Sequence, residues 1–281
     1  PGIDVKMDSQ RKYVYGDTFK QLFGKISSIP AESADLYKAL GYSLDDQVGK
    51  SYLELQYENL LKGTKEVQTT TTNRSGQITD SAITTTGQTG KDVVLTIDME
   101  LQQKVDQIVE EEFAKEPSAK GAYVVMMNPK TGEILAISGK KRDGSKIEDN
   151  TYGALYNAYA MGSTVKGATV LTGYETGVIS PGDVLVDTPI TIGGLTKKSW
   201  TTMGAINDLK ALERSSNVYM FRIAMKIGKY DLNSKSGFKD PDTAYATMRY
   251  YFSQFGLGVK TGIDLPNEAT GYNGGVQKLG N

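Results

Sequence analysis

Ser163 stands three residues before Lys166 and directly after Gly162, in a chain that has neither histidine nor cysteine. A Ser-His-Asp hydrolase, a cysteine nucleophile and the usual zinc sites are therefore excluded. Covalent chemistry in this chain needs a lysine or a carboxylate as general base. Positions i and i+3 share a helix face, so Lys166 Nζ can come within hydrogen-bond reach of Ser163 Oγ. Burial disfavours the charged form of a lysine, and the neutral amine can then take the serine proton. A helix N-terminus at this point would add partial positive charge beside a developing oxyanion.

S-x-x-K alone is a weak signal. It occurs four times, at Ser9/Lys12, Ser138/Lys141, Ser163/Lys166 and Ser236/Lys239. Ser9 and Ser236 sit in charged, loop-like stretches. Ser138 is expected to end a strand, with Lys141 solvated among Lys140, Arg142 and Asp143. Only Ser163 follows a glycine and opens an amphipathic pattern (Val165, Val170, Leu171, Tyr174). The competing reading of Ser163 is a plain helix N-cap.

A second element supports chemistry. Ser215-Ser216-Asn217 is the one S-x-N in the chain and falls inside a strong helical pattern over 208–227. Ser and Asn compete for backbone hydrogen bonds and suit a helix interior poorly. A local break that exposes these side chains is expected. Ser215 could then bond Lys166 and pass a proton to a leaving group, and Asn217 could hold the lysine or a substrate amide. An ordinary helix junction is the competing reading.

The elements that must carry these residues follow from pattern. Residues 1–63 read as mostly helical, with helices over 31–40 and 51–61. The Thr-, Gly-, Gln- and Ser-rich stretch 64–90 reads as linker plus strand. Residues 93–97 predict a short buried strand, and Asp98 caps a helix to about Lys115 whose apolar face is Leu101, Val105, Ile108, Val109 and Phe113. Residues 122–127 and 134–138 predict a hairpin around Asn128-Pro129-Lys130-Thr131-Gly132, followed by a polar loop over 139–150. Helices are expected over 164–176 and 244–255, with 229–242 as loop. Trp200 is placed in the core rather than on a groove wall.

The bulk numbers set limits. A chain of 281 residues can bury a substantial core and is expected to form more than one domain. A formal net charge of −1 argues against an electrostatic nucleic-acid binder. No apolar run approaches the roughly 18–20 residues of a membrane span. A start at Pro1 is expected of a processed form or fragment whose upstream anchor has been removed.

Together these residues resemble a known family. S-x-x-K, a serine-containing S-D-N-type element and K-T-G mark penicillin-binding proteins and class A β-lactamases. The chain looks like a class B penicillin-binding protein, closest to the 2b type of Gram-positive bacteria. Residues 48–54 (Val48 to Glu54) and 57–63 (Tyr57 to Gly63) resemble the family's segment ahead of the catalytic domain. Leu95-Thr96-Ile97-Asp98 with Leu101-Gln102, the 128–136 hairpin, and Phe255-Gly256-Leu257-Gly258 with Thr261-Gly262-Ile263-Asp264-Leu265-Pro266 follow in the family's order.

The resemblance implies an α/β (α+β) architecture: a pedestal, dimerisation-type domain with linker over 1–90, then a transpeptidase domain over 91–281 with helices around a central antiparallel sheet. It implies a peptidoglycan DD-transpeptidase working through Ser163, Lys166, Ser215 and Asn217, with no metal or organic cofactor. Implied partners are peptidoglycan stem peptides, β-lactam antibiotics and cell-wall synthesis proteins such as a glycosyltransferase. The implied place is the outer face of the cell membrane, through an anchor outside this chain.

One element departs from the family pattern. K-[ST]-G occurs at Lys130-Thr131-Gly132, Lys235-Ser236-Gly237 and Lys260-Thr261-Gly262, and none has the expected setting on a late strand. The chain is therefore expected to be C-terminally incomplete and poorly active alone. Two rival readings remain at this stage: a β-lactam-sensing or β-lactam-hydrolysing protein on the same fold, and a non-catalytic cell-wall scaffold.

Overall fold

The computed structural model describes residues 11–192, 194–231, 237 and 239–272. The chain divides into two units, residues 1–156 with 263–268 and residues 157–262 with 269–281.

In the first unit, short elements follow one another: α1 (Lys20–Phe23), β1 (Ile26–Ser28), a 3₁₀ turn (Ala31–Ser33), α2 (Ala34–Ala39), β2 (Gln47–Gly49), α3 (Tyr52–Gln56) and α4 (Glu58–Leu61). The two helices expected over 31–40 and 51–61 are thus each split, the second at Tyr57, whose ψ of 11° leaves the helical region. Buried Glu54 and Glu58 explain the local order. Arg11 Nε donates to Glu54 Oε2 at 2.9 Å, and Glu58 Oε2 accepts from the Gly49 amide at 2.8 Å. Buried acids persist only when paired in this way. β3 (Val67–Thr72) and β4 (Ile78–Thr85) form an antiparallel ribbon exposed at every residue, so the Thr-rich stretch is strand rather than plain linker.

The stretch 93–97 is not a strand, contrary to expectation. Thr96 Oγ1 donates to the Ile134 carbonyl, the Asp98 amide just beyond the stretch donates to the Leu135 carbonyl, and Val94 is 92% exposed. An apolar run alone does not supply a ladder partner. Asp98 does cap α5 (Met99–Ala114), accepting from the Leu101 amide at 3.0 Å. Val105, Val109 and Phe113 are buried as the pattern requires, but Ile108 is exposed. Gln102 is buried on this helix, and its amide clamps the backbone of Ile137 in both directions, at 2.9 and 3.0 Å.

Beneath α5 lies an antiparallel sheet of β5 (Gly121–Met127), β6 (Ile134–Asp143) and β7 (Lys146–Asp149), in that order. The expected polar loop over 139–150 is instead the second half of β6 and all of β7. Charge hid it: Lys140 faces Asp149 and Lys141 faces Glu148 across the ladder, and opposite charges in register stabilise a pair of strands. The short α6 (Gly153–Tyr156) closes this region, where Leu22, Ile137, Leu155 and Leu265 form a core cluster.

The second unit starts with a 3₁₀ turn (Gly162–Val165) that runs into α7 (Lys166–Glu175). Four short strands follow, β8 (Val184–Asp187), β9 (Ile190–Ile192), β10 (Leu195–Lys197) and β11 (Gly204–Asn207); β8 pairs with β11 and β9 with β10, both antiparallel. The helical pattern over 208–227 is broken into α8 (Asp208–Glu213) and α9 (Asn217–Ile227), as the Ser-Ser-Asn sequence foretells. Helix α10 (Pro241–Ser253) starts three residues before the expected Ala244. Asp240 caps it by accepting from the Thr243 amide, and Pro241 suits the first helical turn.

Val170, Ile179, Ile206, Ala211, Tyr219, Met220 and Ile223 form the core of this unit and fix α7 against α9. Leu171, read as part of the apolar face of α7, is exposed. Gly173 sets the approach of the two helices. A Cβ there would lie 2.8 Å from an Ile179 side-chain carbon and 3.1 Å from Ile223 Cγ2. That proximity brings the first turn of α7 beside the first turn of α9.

Candidate active site

Gly162 has φ of +59°, in the left-handed region that glycine enters without penalty, and this turns the chain into the 3₁₀ segment. Side chains at i and i+3 eclipse in a 3₁₀ turn. Ser163 and Lys166 therefore stand one above the other at the start of α7. The N-cap reading of Ser163 is overturned: α7 has no side-chain cap, and among the described residues the Ser163 hydroxyl makes no hydrogen bond. It is exposed, at the mouth of a cavity of about 360 Å³ that also touches Lys166, Thr169, Asn217, Met220 and Phe221.

Lys166 is 9% exposed. Its Nζ donates to the Ser215 carbonyl at 2.8 Å and to Ser215 Oγ at 2.9 Å, with no carboxylate among the described residues bonded to it. Burial pushes its pKa below the ordinary lysine value. The structure thus joins Lys166 to Ser215 by hydrogen bonds and places Ser163 and Lys166 on the wall of one cavity. It shows no direct Ser163–Lys166 bond.

Ser215 lies in the break between α8 and α9 with φ of +55°, a conformation that costs a non-glycine residue energy. That turn aims both of its oxygens at one ammonium. Asn217 opens α9 and lines the same cavity as Ser163. Its Nδ2 donates to the Lys198 carbonyl at 3.4 Å rather than to Lys166, which leaves the amide exposed. Trp200 is not a core residue. It is 68% exposed, its indole N–H donates to the Arg214 carbonyl at 2.8 Å, and the Arg214 guanidinium sits 5.4 Å from the ring centre.

Two side chains of this region were not signalled by sequence. Asp187, at the end of β8, accepts from Ser199 Oγ at 2.6 Å and from Ser216 Oγ at 2.5 Å. Their spacing along the chain follows no helical or strand period, so no local pattern could have found them.

The other S-x-x-K pairs differ. Ser138 is fully buried in mid-strand, and Lys141 bonds Glu148 at 3.3 Å, which raises its pKa. Ser9 and Ser236 lie outside the described residues. Of the K-[ST]-G triplets, Lys130-Thr131-Gly132 is the β5–β6 turn and Lys260-Thr261-Gly262 follows α10 without a strand; Lys235-Ser236 falls outside the described residues.

Comparison with known proteins decides the family. Residues 122–278 match the family described as "Penicillin binding protein transpeptidase domain", and residues 1–95 match "Penicillin-binding Protein dimerisation domain". The chain belongs to the penicillin-binding protein transpeptidase family. Penicillin-binding protein 2A of Bacillus subtilis is 47% identical to this penicillin-binding protein chain over 290 residues, covering 98% of the chain and 40% of the relative. Penicillin-binding protein 2B of Streptococcus pneumoniae, a solved structure, superposes with a TM-score of 0.82 at 35% identity, covering 94% of the chain and 46% of its own. Peptidoglycan D,D-transpeptidase MrdA of Escherichia coli is 26% identical over 300 residues, covering 96% and 43%. The chain spans about two fifths of the length of the curated relatives it matches. The mixed α/β fold and the 2b-type resemblance read from sequence are borne out.

Proposed function

We propose that the protein containing this chain is a serine-type peptidoglycan D,D-transpeptidase and a covalent target of β-lactams. The observation that carries this reading is the buried, carboxylate-free Lys166 held by both oxygens of Ser215, in one cavity with the open hydroxyl of Ser163. A lysine in that setting holds a lowered pKa and suits the role of general base.

Ser163 Oγ attacks the carbonyl of the penultimate D-Ala of a stem peptide while Lys166 takes its proton. The C–N bond to the terminal D-Ala breaks, and Ser215, bonded to Lys166, hands the proton to the leaving amine. An amine of a neighbouring stem then attacks the acyl-enzyme, and Ser163 recovers its proton by the reverse relay. Asn217, exposed on the cavity wall, offers both a donor and an acceptor to the substrate amide. A β-lactam mimics the D-Ala-D-Ala end and leaves a stable acyl group on Ser163. The partners of this reading are stem peptides, β-lactams and a glycosyltransferase that makes the glycan strand, at the outer face of the membrane. Residues 1–90 serve as pedestal and 91–281 belong to the catalytic domain. Among the described residues no helix is long and apolar enough to cross a membrane.

The test is the intact mass of the denatured full-length protein before and after benzylpenicillin, with Ser163→Ala beside it. One drug mass on the Ser163 peptide, absent from the variant, is the expected result. A folded full-length protein that takes no adduct would favour the scaffold reading. An adduct lost within seconds would favour a β-lactam-hydrolysing protein.

A further inference from the structure

Ser215 persists in a left-handed turn although it is not glycine. Such a residue stays there only when its surroundings over-determine it. Both flanks of Ser215 are tied. On one side the Ser215 amide donates to the Leu212 carbonyl at 3.1 Å and the Ser216 amide to the Ala211 carbonyl at 2.8 Å. On the other side α9 begins, with its unpaired amides met by two serines. Ser199 Oγ accepts from the Asn217 and Val218 amides at 2.9 and 3.2 Å, and Ser216 Oγ accepts from the Tyr219 amide at 2.9 Å.

Both hydroxyls then give their protons to one atom, Asp187 Oδ2. Asp187 is 1% exposed, Ser199 5% and Ser216 0%. The other carboxyl oxygen, Asp187 Oδ1, is buried and accepts no hydrogen bond among the described residues. A buried oxygen without a donor costs stability, so helix capping alone gives no reason for a carboxyl group here. Neither Asp187 nor Ser199 lines the cavity that holds Ser163.

We propose that Asp187 and Ser199 are positioning residues that hold Ser215 in its left-handed turn, so that its carbonyl and hydroxyl both face Lys166 Nζ. The proposal rests on the transpeptidase reading of Ser163, Lys166 and Ser215. Asp187 orients the two serine hydroxyls, the hydroxyls fix the first turn of α9, and that turn fixes where Ser215 must bend. Loss of the anchor lets Ser215 relax out of the left-handed region and frees Lys166 from its two acceptors.

The experiment compares Asp187→Ala, Asp187→Asn and Ser199→Ala in the full-length protein. It reads the rate of Ser163 acylation by benzylpenicillin, the titration of Lys166 by NMR of ¹³C-lysine-labelled protein, and the thermal midpoint. Misplacing one partner of a proton relay slows chemistry by about 10–100-fold, the loss expected of Asp187→Ala and Ser199→Ala. The amide oxygen introduced by Asp187→Asn can still accept from both hydroxyls, so this variant keeps most of the wild-type rate. Lys166 without its two acceptors titrates at lower pH than in the wild type. Among the described residues no other ionisable side chain lines the cavity, and both hydrogen bonds of Lys166 Nζ run to Ser215.

Wild-type acylation and wild-type Lys166 titration in Asp187→Ala would overturn the proposal. A lower thermal midpoint with both unchanged would do the same, because capping alone predicts that result. Equal losses in the Ala and Asn variants would also overturn it. If Asp187→Ala does not fold, Ser199→Ala decides by the same two readings. A wild-type protein that is never acylated would sink the transpeptidase reading, and the Lys166 titration would then judge the positioning claim by itself.

Discussion

Lys140 and Lys166 are buried to nearly the same depth, 7% and 9% exposed, and their pKa values are pushed in opposite directions. Burial lowers both. At Lys140 that effect is outweighed by Asp149 and Glu110, whose carboxylates accept from Nζ at 2.6 and 2.9 Å. At Lys166 the acceptors are a carbonyl and a hydroxyl, neither of which carries charge. Burial alone does not make a base of a lysine. The charge of the groups that accept from it decides between an ion pair that closes a sheet and an amine that can take a proton.

The largest effect is expected on removing each lysine in turn. Lys166→Met should slow Ser163 acylation by about 10²–10⁴-fold, the range for a positioned general base. Lys140→Met should leave the acylation rate unchanged. Similar losses in both, read by mass spectrometry of penicillin adducts, would show that Lys166 has no special role.

Acylation of the wild type should rise with pH on a limb centred below the ordinary lysine pKa of about 10.4, since only the neutral amine accepts the proton. Lys166→Met should abolish that limb. A rate independent of pH in the wild type would count against lysine as base.

Ser215→Gly removes one of the two uncharged acceptors of Lys166. Glycine suits φ of +55° and keeps the carbonyl acceptor but loses Oγ. Acylation should fall by about 10–100-fold while stability rises by up to about 1 kcal/mol, as relief of a left-handed residue predicts. Calorimetry together with the adduct assay separates the two effects.

Stability against pH gives the smallest effects, and their signs differ between the lysines. Lys166 has a folded pKa below its unfolded value. The unfolded state therefore binds more protons between the two values, and stability rises with pH across that window. Lys140 has a raised folded pKa, so its contribution is present below the unfolded value and is lost as pH climbs through the folded one. At neutral pH Lys140→Met should lower stability by about 1 kcal/mol or less, because Glu110 and Asp149 are largely exposed. Lys166→Met should leave it equal or raise it. Denaturant melts of both variants at pH 7 and pH 10 check the signs.

Much of the candidate site was legible locally. Gly162-Ser163 with Lys166 marks a turn into a helix, and Ser215-Ser216-Asn217 interrupts a helical period because those side chains compete for backbone hydrogen bonds. Asp98 and the 128–132 turn were readable for the same reason, since caps and turns satisfy their own backbone within a few residues. The strand halves at 139–143 and 146–149 were not. Their pattern is charge opposite charge, which looks like a loop until the register pairs Lys140 with Asp149. The run at 93–97 misled in the other direction, because apolar residues favour burial without naming a ladder partner.

Composition and short motifs narrowed the chemistry open to this chain. With no histidine or cysteine, a serine three residues from a lysine and a single S-x-N were the candidates for acyl transfer, and these signals act over one or two turns of chain. Which buried lysine meets uncharged acceptors rather than carboxylates came from the folded chain. Ser215 reaches Lys166 across 49 positions, and Asp187 reaches Ser216 across 29. Burial and the charge of an acceptor are supplied by distant segments, so they come into being only when α7, β8 and the first turn of α9 pack together.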